Sequence, residues 1–162
     1  MTTTRINFTV LGDAKPAGSK RAFALKRRDG SPVLRPNGTQ VVTVVDANPN
    51  SKPWKQEVAR AAREAYCGDL LDGPLRLHLK FFRPRPKGHF TTTGLSKAGR
   101  ESIAPTTKPD VLKLARAVED SLTGVIWRDD SQVVVELLTK EWGEPARVEV
   151  VVENYAPRVP VA

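Results

Sequence analysis

The chain has 162 residues, of which 40% are apolar and 27% charged, a size and composition typical of one globular domain and not of a disordered chain. Lys and Arg outnumber Asp and Glu by 26 to 18, giving a formal net charge of +8. That balance favours a polyanionic partner, with nucleic acid ahead of an acidic membrane. From charge alone, a basic surface that only keeps the protein in solution remains an equal alternative.

The cysteine and histidine content limits the kinds of metal site. A single cysteine, Cys67, excludes an intramolecular disulfide and a zinc site built on several cysteines, and His78 and His89 are too few to form one. A bound metal would therefore need oxygen ligands, which favours Mg²⁺ or Mn²⁺. No apolar segment is long enough to cross a membrane and no signal peptide opens the chain, so we expect a cytoplasmic protein.

In chain order, the first half predicts a strand over Arg5–Leu11, a basic turn-rich segment, and a second strand in "TQVVTVVD". A helix is predicted in "NPNSKPWKQEVARAAREAYCG", with Ser51 as a possible N-cap and Gly68 as its stop. The alternating segment "GPLRLHLKFF" predicts a strand with one apolar face. His78 lies on its other face and is most simply an exposed residue without a chemical role.

The second half begins with a polar, irregular segment over residues 83–107, and a loop of that length is usually functional or mobile. An amphipathic helix is predicted over Thr107–Leu122, followed by strands "SQVVVELLTKEW" and "ARVEVVVENY" that we expect to form a hairpin turning at residues 143–145. The order predicts one α+β domain over residues 1–156, with a mixed sheet and two main helices packed on it, and a flexible tail over 157–162.

Acidic residues stand on both sides of the last predicted helix. Asp110 lies at its start, and Asp129 and Asp130 precede the strand that follows. Each has a structural interpretation: Asp110 stands at capping-box spacing from Thr107, and the pair can be loop residues. If the helix packs on the sheet so that these carboxylates meet, they would repel each other unless a divalent cation held them. Such a cation could activate water for phosphodiester cleavage.

The segments "KPDVLKLARAVEDSL" and "IWRDDSQVV" resemble the RusA family of Holliday-junction resolvases, whose pattern runs K/R-x-D-x-D-N-L, a basic residue, D-A-L, and then W-x-D-D-A-Q-V. The segments "GSKRAF", "PWKQEVARAA" and "RPKGHF" also look like phage-encoded members. The resemblance implies a small homodimeric endonuclease that depends on Mg²⁺, accepts Mn²⁺ and needs no small-molecule cofactor. It also implies symmetric cleavage of four-way DNA junctions or related branches, in DNA recombination and repair.

The resemblance assigns roles to individual residues. Asp110 matches the first metal-binding Asp of the family, and Asp130 matches the later catalytic Asp, with Asp129 as its acidic neighbour. Arg116 stands where the family has a catalytically important Lys, and we expect it to stabilise phosphate charge because Arg stays protonated. Asp120 matches the acid of the D-A-L element; it is either a supporting residue there or simply an ion-pair partner of Arg116 at helical spacing.

One position departs from the family pattern. Leu112 replaces the second Asp, and Lys113 replaces the Asn that follows it. Glu119 lies about 20° away from Leu112 around the helix and two turns further along, on the same flank as Arg116. We hypothesise that Glu119 supplies the missing carboxylate as a third metal ligand beside Asp110 and Asp130. The alternative is that Glu119 is a surface acid and the metal site is weakened.

Basic residues concentrate in two further segments, 15–28 and 83–108, which we expect to contact the DNA backbone without reading sequence. The candidate DNA-binding residues are Lys20, Arg21, Lys26, Arg27, Arg28, Arg83, Arg85, Lys87, His89, Lys108 and Lys113. Two other functions stay open: a non-catalytic protein that binds branched DNA through a degenerate site, and an RNA-binding protein, which only the basic charge favours.

Overall fold

The main sheet of the protein has four strands and mixed direction. A computed structural model describes residues 4–18, 20–46 and 48–156, with backbone only for residues 20, 21 and 44–46. The strands are β1 (Arg5–Leu11), β4 (Leu75–Arg83), β7 (Val133–Trp142) and β8 (Arg147–Asn154). Their order is β1-β8-β4-β7, with β4 antiparallel to β8 and parallel to β7. The predicted α+β domain with a mixed sheet is therefore confirmed.

Helices α1 (Ser51–Ala65) and α3 (Val111–Leu122) contact each other and cover one face of the sheet, α1 beside β1 and α3 beside β7. The core lies between the two layers. The apolar face predicted for β4 is fully buried, and so are four apolar residues of the amphipathic helix α3: Leu75, Leu77, Leu79, Phe81, Leu114, Ala115, Val118 and Leu122. The period of the apolar residues, 2 in the strand and 3.6 in the helix, was thus sufficient to predict these core residues. No helix of the described residues is long and apolar enough to cross a membrane.

Both predicted helix caps are wrong in detail. Asn50, not Ser51, is the N-cap residue of α1, and Ser51 is a buried first residue of the helix. The last predicted helix begins at Val111 instead of Thr107, so Asp110 is its N-cap residue, but the Asp110 side chain makes no capping hydrogen bond. The capping box predicted from Thr107 is therefore absent, and the Asp110 carboxylate is left 62% exposed.

The predicted hairpin of the last two strands is also wrong. Strands β7 and β8 follow each other in sequence, but β4 lies between them and pairs with both. The residues between Trp142 and Arg147 therefore make a crossing connection over the end of β4, where the Gly143 amide donates a 2.9 Å hydrogen bond to the Arg83 carbonyl. As a result, β7 is an edge strand of the sheet.

The basic segment near the N-terminus is an ordered β-arm and not an irregular loop. Strands β2 (Lys20–Ala24) and β3 (Val42–Asp46) pair antiparallel, in a small sheet separate from the main one. Backbone hydrogen bonds connect the intervening residues, including Leu25 to Val41 and Val33 to Leu25. We call residues 20–46 the arm. Its described side chains contribute nothing to the buried core.

Residues 84–107 are likewise more regular than predicted. They contain a 3-10 turn (Lys87–His89), a short pair of strands β5 (Phe90–Thr91) and β6 (Gly94–Leu95), and a five-residue helix α2 (Lys97–Glu101). Hydrogen bonds from Arg85 to the Gly99 and Ser102 carbonyls hold the segment together, and the Trp142 indole donates to Ser102. The sequence did not predict this regular structure, because side chains that donate hydrogen bonds to backbone carbonyls leave no hydrophobic pattern.

Candidate active site

The turn that carries Asp110 is held by two cations from the sheet. The Lys140 ammonium donates hydrogen bonds to the carbonyls of Thr107 and Pro109, at 2.8 and 3.0 Å. The Arg83 guanidinium donates to the carbonyl between them, that of Lys108, at 2.9 Å. Three successive carbonyls before α3 therefore have charged donors, which fixes the backbone from which Asp110 projects.

The surroundings of Lys140 lower its pKa. Burial and the adjacent positive charge of Arg83 lower the pKa of Lys140, and the Asp110 carboxylate counteracts part of that effect. Asp110 also lies 3.8 Å from the Lys113 ammonium. Thus Asp110 stands in a basic environment at the start of α3, and sequence analysis gave no indication of the role of Lys140.

Glu119 lies near the other end of the helix, beside a carboxylate that sequence analysis missed. Burial raises the pKa of Glu119 to about 7, and the charge of Glu136 and a hydrogen bond between the two side chains add to the shift. The nearby charges of Asp130 and Asp120 raise it further. Glu119 therefore keeps its proton at pH values where an exposed carboxyl group has lost it, and Glu136 is its hydrogen-bonding partner.

A β-bulge in β7 directs Glu136 towards the helix. Val133 pairs with Leu75 and Val135 with the next residue of β4, so Val134 is an extra residue in the strand. Beyond the bulge, Glu136 pairs with the fully buried Leu77 and shares its helix-facing side. Strict alternation from Val133 would have placed Glu136 on the opposite face, which explains why the sequence gave no signal for it.

Asp129 and Asp130 differ in their local roles. The Asp129 carboxylate accepts a 2.9 Å hydrogen bond from the Ser131 amide, and Gln132 completes a capping box for the 3-10 turn Asp130–Gln132. The hydrogen bonds from Ser131 lower the pKa of Asp129. Asp130 has no ion-pair partner among the described residues and acts electrostatically on Glu119. Asp129 is thus engaged in the turn, and Asp130 presents a carboxylate on the Glu119 side.

The exposed flank of α3 carries Leu112 and Arg116, two residues that differ from the family pattern. Leu112 is 67% exposed, because it lies outside the buried face of the helix. Arg116 is also exposed and has no ion pair among the described residues. The alternative pairing of Asp120 with Arg116 is wrong, because Asp120 forms a 2.7 Å ion pair with Lys55 of α1. Arg116 is consequently available to a ligand.

Within one chain, Asp110 lies away from the other predicted acids. Asp110 and Glu119 are nine residues apart along α3, about 13 Å along its axis. Asp130, Glu119 and Glu136 lie at the far end from Asp110, and Asp110 is not among the charges that affect the pKa of Glu119. In the described part of the chain, no three Asp, Glu, His or Cys side chains converge closely enough to hold a metal ion. The oxygen donors suit Mg²⁺ or Mn²⁺, but the described residues of one chain do not bring three of them together.

The candidate DNA-binding residues divide into three groups. Lys26, Arg27 and Arg28 are exposed on the arm, while the side chains of Lys20 and Arg21 lie outside the described residues. Lys108 and Lys113 line a cavity of about 390 Å³ beside Asp110, together with Asp13 and Lys15. The remaining group belongs to the segment after β4: Lys87 is exposed, whereas Arg83, Arg85 and His89 are partly buried and Arg83 and Arg85 serve the hydrogen bonds described above.

Comparison with known proteins agrees with the sequence motifs. The family model "Endodeoxyribonuclease RusA" matches residues 29–153, from within the arm to the residue of β8 before Asn154. A similar protein is "Uncharacterized protein YqaN" of Bacillus subtilis (strain 168), which is 33% identical over 154 residues, covering 92% of this chain and 96% of the relative. The family match spans α3, the Asp129–Asp130 pair and the bulged strand. On the strength of both matches, the chain belongs to the RusA family of endodeoxyribonucleases.

Proposed function

We propose that the protein is a Mg²⁺-dependent endodeoxyribonuclease that resolves four-way DNA junctions or related branches by symmetric nicks. Membership of an endodeoxyribonuclease family supports phosphodiester hydrolysis on DNA. The single observation that carries the site assignment is that Glu119 pairs with Glu136 beside Asp130. Among the described residues, none of these three carboxylates forms an ion pair with a Lys or Arg. Hydrolysis would leave a 5′ phosphate and a 3′ hydroxyl, as the family resemblance implies.

Within this proposal, Glu119 takes the place of the carboxylate that the family has at position 112. Its half-buried position and its contact with Glu136 support this role over that of a solvated surface acid. Two carboxylates held in hydrogen-bonding contact retain a proton or bind a cation in its place, because two adjacent negative charges are otherwise unfavourable. Mg²⁺, or Mn²⁺ in its place, would supply Lewis-acid stabilisation of the phosphodiester.

The other site residues would act on the substrate and on each other. Asp110 projects from a turn fixed by Lys140 and Arg83, and Asp130 from a turn capped by Asp129. The exposed guanidinium of Arg116 would stabilise negative charge on the phosphate, since it cannot transfer a proton at neutral pH. The arm and the cavity beside Asp110 would contact the DNA backbone.

The test is cleavage of a labelled synthetic four-way junction and of a matched linear duplex, each with Mg²⁺ and with EDTA. We expect paired, symmetric nicks in the junction only, and only with Mg²⁺. Asp130→Asn should abolish cleavage. The control Asp72→Asn should not, because Asp72 is an exposed acid that lies 3.5 Å from Arg128 and outside the site. Junction binding without any cut, with Mn²⁺ also tried, would instead identify a DNA-binding protein whose site has lost its chemistry.

A further inference from the structure

A second cavity, of about 370 Å³, lies on the side of the Asp110 turn that faces residues 84–107. The side chains that line it include those of Trp142, His89, Arg83, Ser102 and Thr107. We call it the Trp142 cavity. It shares Arg83 with the turn before α3, where the Arg83 guanidinium donates a hydrogen bond to the Lys108 carbonyl. Thr107 and Asp110 are three residues apart, so this wall of the cavity lies within about 11 Å of Asp110.

The aromatic wall of the Trp142 cavity is fixed before any ligand binds. The Trp142 indole N–H donates hydrogen bonds to the carbonyl and hydroxyl oxygens of Ser102, at 3.1 and 3.2 Å. The Arg85 guanidinium lies over the Trp142 ring, 5.4 Å from its centroid, and is itself held by the Gly99 and Ser102 carbonyls. The His89 ring meets the Trp142 ring edge-on, with centroids 5.4 Å apart. Because both rings are already held in place, a ligand that stacks on them orders few side chains.

Unused hydrogen-bonding groups accompany this aromatic wall. Arg85 lies 3.4 Å from Nδ1 of His89, and Nε2 of the same ring has no partner among the described residues. Thr106 and Thr107 line the cavity, are exposed, and have hydroxyls without a partner in the described part of the chain. No Asp or Glu is among the described residues that line the cavity, and Arg83 brings a positive charge to it. This chemistry favours a planar, hydrogen-bonding ligand with negative charge nearby, and disfavours a cation.

A nucleobase attached to its phosphates has this combination of properties. Bases stack on aromatic side chains, and their edges form hydrogen bonds with polar side chains. The volume of the Trp142 cavity is near the lower end of the usual range for small-molecule sites, about 300–1,000 Å³, which suits one nucleoside better than a base pair. A base can enter only after it leaves the duplex stack, and this costs least where base pairing is already interrupted. A branch point in DNA is such a place.

We propose that the Trp142 cavity binds one unpaired base of a branched DNA, stacked on Trp142, while the adjoining backbone lies at Asp110. The inference rests on the proposed function in one respect, namely that DNA is the ligand. It goes beyond that function by assigning a base-binding site to residues outside the carboxylate groups. Base contacts carry sequence information that phosphate contacts lack, so this cavity would also give the protein a preference among bases.

Direct binding measurements in EDTA test the cavity without cleavage. Fluorescence anisotropy compares labelled duplexes that carry one unpaired A, C, G or T with a duplex that carries an abasic residue at the same place. We expect at least one unpaired base to bind about tenfold more tightly than the abasic residue, as is typical of stacking on one ring. Trp142→Leu should remove this preference, whereas Trp142→Phe keeps a ring and should keep most of it. Phe90→Leu is the matched control, because Phe90 is an exposed aromatic residue of the same segment that does not line the cavity.

Tryptophan fluorescence gives a second readout that needs no variant. Of the three tryptophans, Trp54 is 6% exposed and Trp127 is fully buried, so a stacked base quenches mainly Trp142. We expect stronger quenching by the preferred unpaired base than by the abasic duplex, and loss of that difference in Trp142→Phe. Equal affinity and equal quenching for all the duplexes in the wild type would overturn the proposal. A preference that survives in a folded Trp142→Leu variant would overturn it too.

Free nucleotides and junction cleavage separate the remaining outcomes. Quenching by free deoxynucleoside monophosphates, with no gain in affinity for an unpaired base in DNA, would make the cavity a site for free nucleotides and reject the proposal. If the wild type cleaves junctions with Mg²⁺ but shows no preference for an unpaired base, the proposed function stands and the base-binding site is rejected. If it prefers an unpaired base but cuts no junction, the proposed function fails and the base-binding site stands.

Discussion

At the scale of single residues, Glu119 links the site to the stability of the fold. Burial and the Glu136 charge raise the pKa of Glu119 to about 7, so the folded chain holds a proton that the unfolded chain releases near the ordinary glutamate pKa of 4.5. Between these values the unfolded state binds fewer protons than the native state. The free energy of unfolding must then decrease as pH rises from about 4.5 through 7.

We accordingly predict that Glu119→Gln abolishes cleavage but stabilises the metal-free protein at pH 8. The amide keeps a hydrogen-bonding partner for Glu136 and removes the ionisation that opposes folding. Urea unfolding at pH 5 and pH 8, in EDTA, measures the difference: the wild type should lose stability at the higher pH, and the variant should lose less. Equal pH dependence of the two proteins would show that Glu119 is not the group responsible.

Lys140 provides a second prediction at this scale. Lys140→Met preserves much of the side-chain volume but leaves the Thr107 and Pro109 carbonyls without their charged donor, so the backbone that positions Asp110 is less well fixed. We expect turnover to fall about tenfold or more, with a smaller change in KM. Lys140→Arg retains the charge and donors and should recover part of the turnover. A Met variant with wild-type turnover would separate Lys140 from catalysis.

The residues found and missed by sequence analysis differ in a physical way. Asp110 and Asp130 were predicted as site residues because their types and spacing match a motif, and Glu119 was predicted because the helical period places it on the flank of Leu112. Glu136 and Lys140 were missed because their roles depend on contacts between β7 and α3. Spacing within the motif also suggested that the acids converge, whereas the length of α3 keeps Asp110 at the other end.

At the scale of secondary-structure elements, the spacing of apolar residues alone predicted the main strands, the main helices and their buried faces. It could not predict that β4 lies between β7 and β8, because consecutive strands usually pair and the turn residues Gly143, Glu144 and Pro145 suit a hairpin. It also could not predict the bulge, since three consecutive valines give no indication of which one is extra.

The bulge in β7 is tested by changing the number of residues in the strand. Deleting Val134 removes only the extra residue, so Val135 still pairs with Arg76 and Glu136 still shares the helix-facing side with Leu77. We therefore expect the deletion variant to retain cleavage, because Leu138, which packs against the core, keeps its side as well. Inserting one Ala between Val135 and Glu136 should instead turn Glu136 and Leu138 to the opposite side and abolish cleavage in the same junction assay. An active insertion variant would show that Glu136 is not needed.

At the scale of the whole molecule, the net charge of +8 implies that DNA binding weakens steeply with salt. Lys26, Arg27 and Arg28 are exposed on the arm. Replacing Arg27 and Arg28 with Ala should reduce the slope of log K against log salt by about 2 if each contacts one phosphate. Fluorescence anisotropy at several salt concentrations, in EDTA, measures that slope.

A charge-matched control variant, Arg5→Ala with Arg60→Ala, carries the same net charge as the arm variant. Arg5 and Arg60 already form ion pairs, with Glu153 and with Glu57 and Glu64, so we expect little change in slope. Equal effects of the two double variants would mean that overall charge attracts the DNA and that the arm makes no specific contribution.

The arm is separate from the buried core, and this affects how its sequence can change during evolution. The family match begins at residue 29, inside the arm, and none of the arm's described side chains helps to bury the core. Selection on folding therefore places little constraint on the arm's length or sequence, whereas under the proposed function selection on DNA binding acts on it directly. Under that function, exchanging or lengthening the arm would change the DNA structures that the protein accepts without rebuilding the domain that carries it.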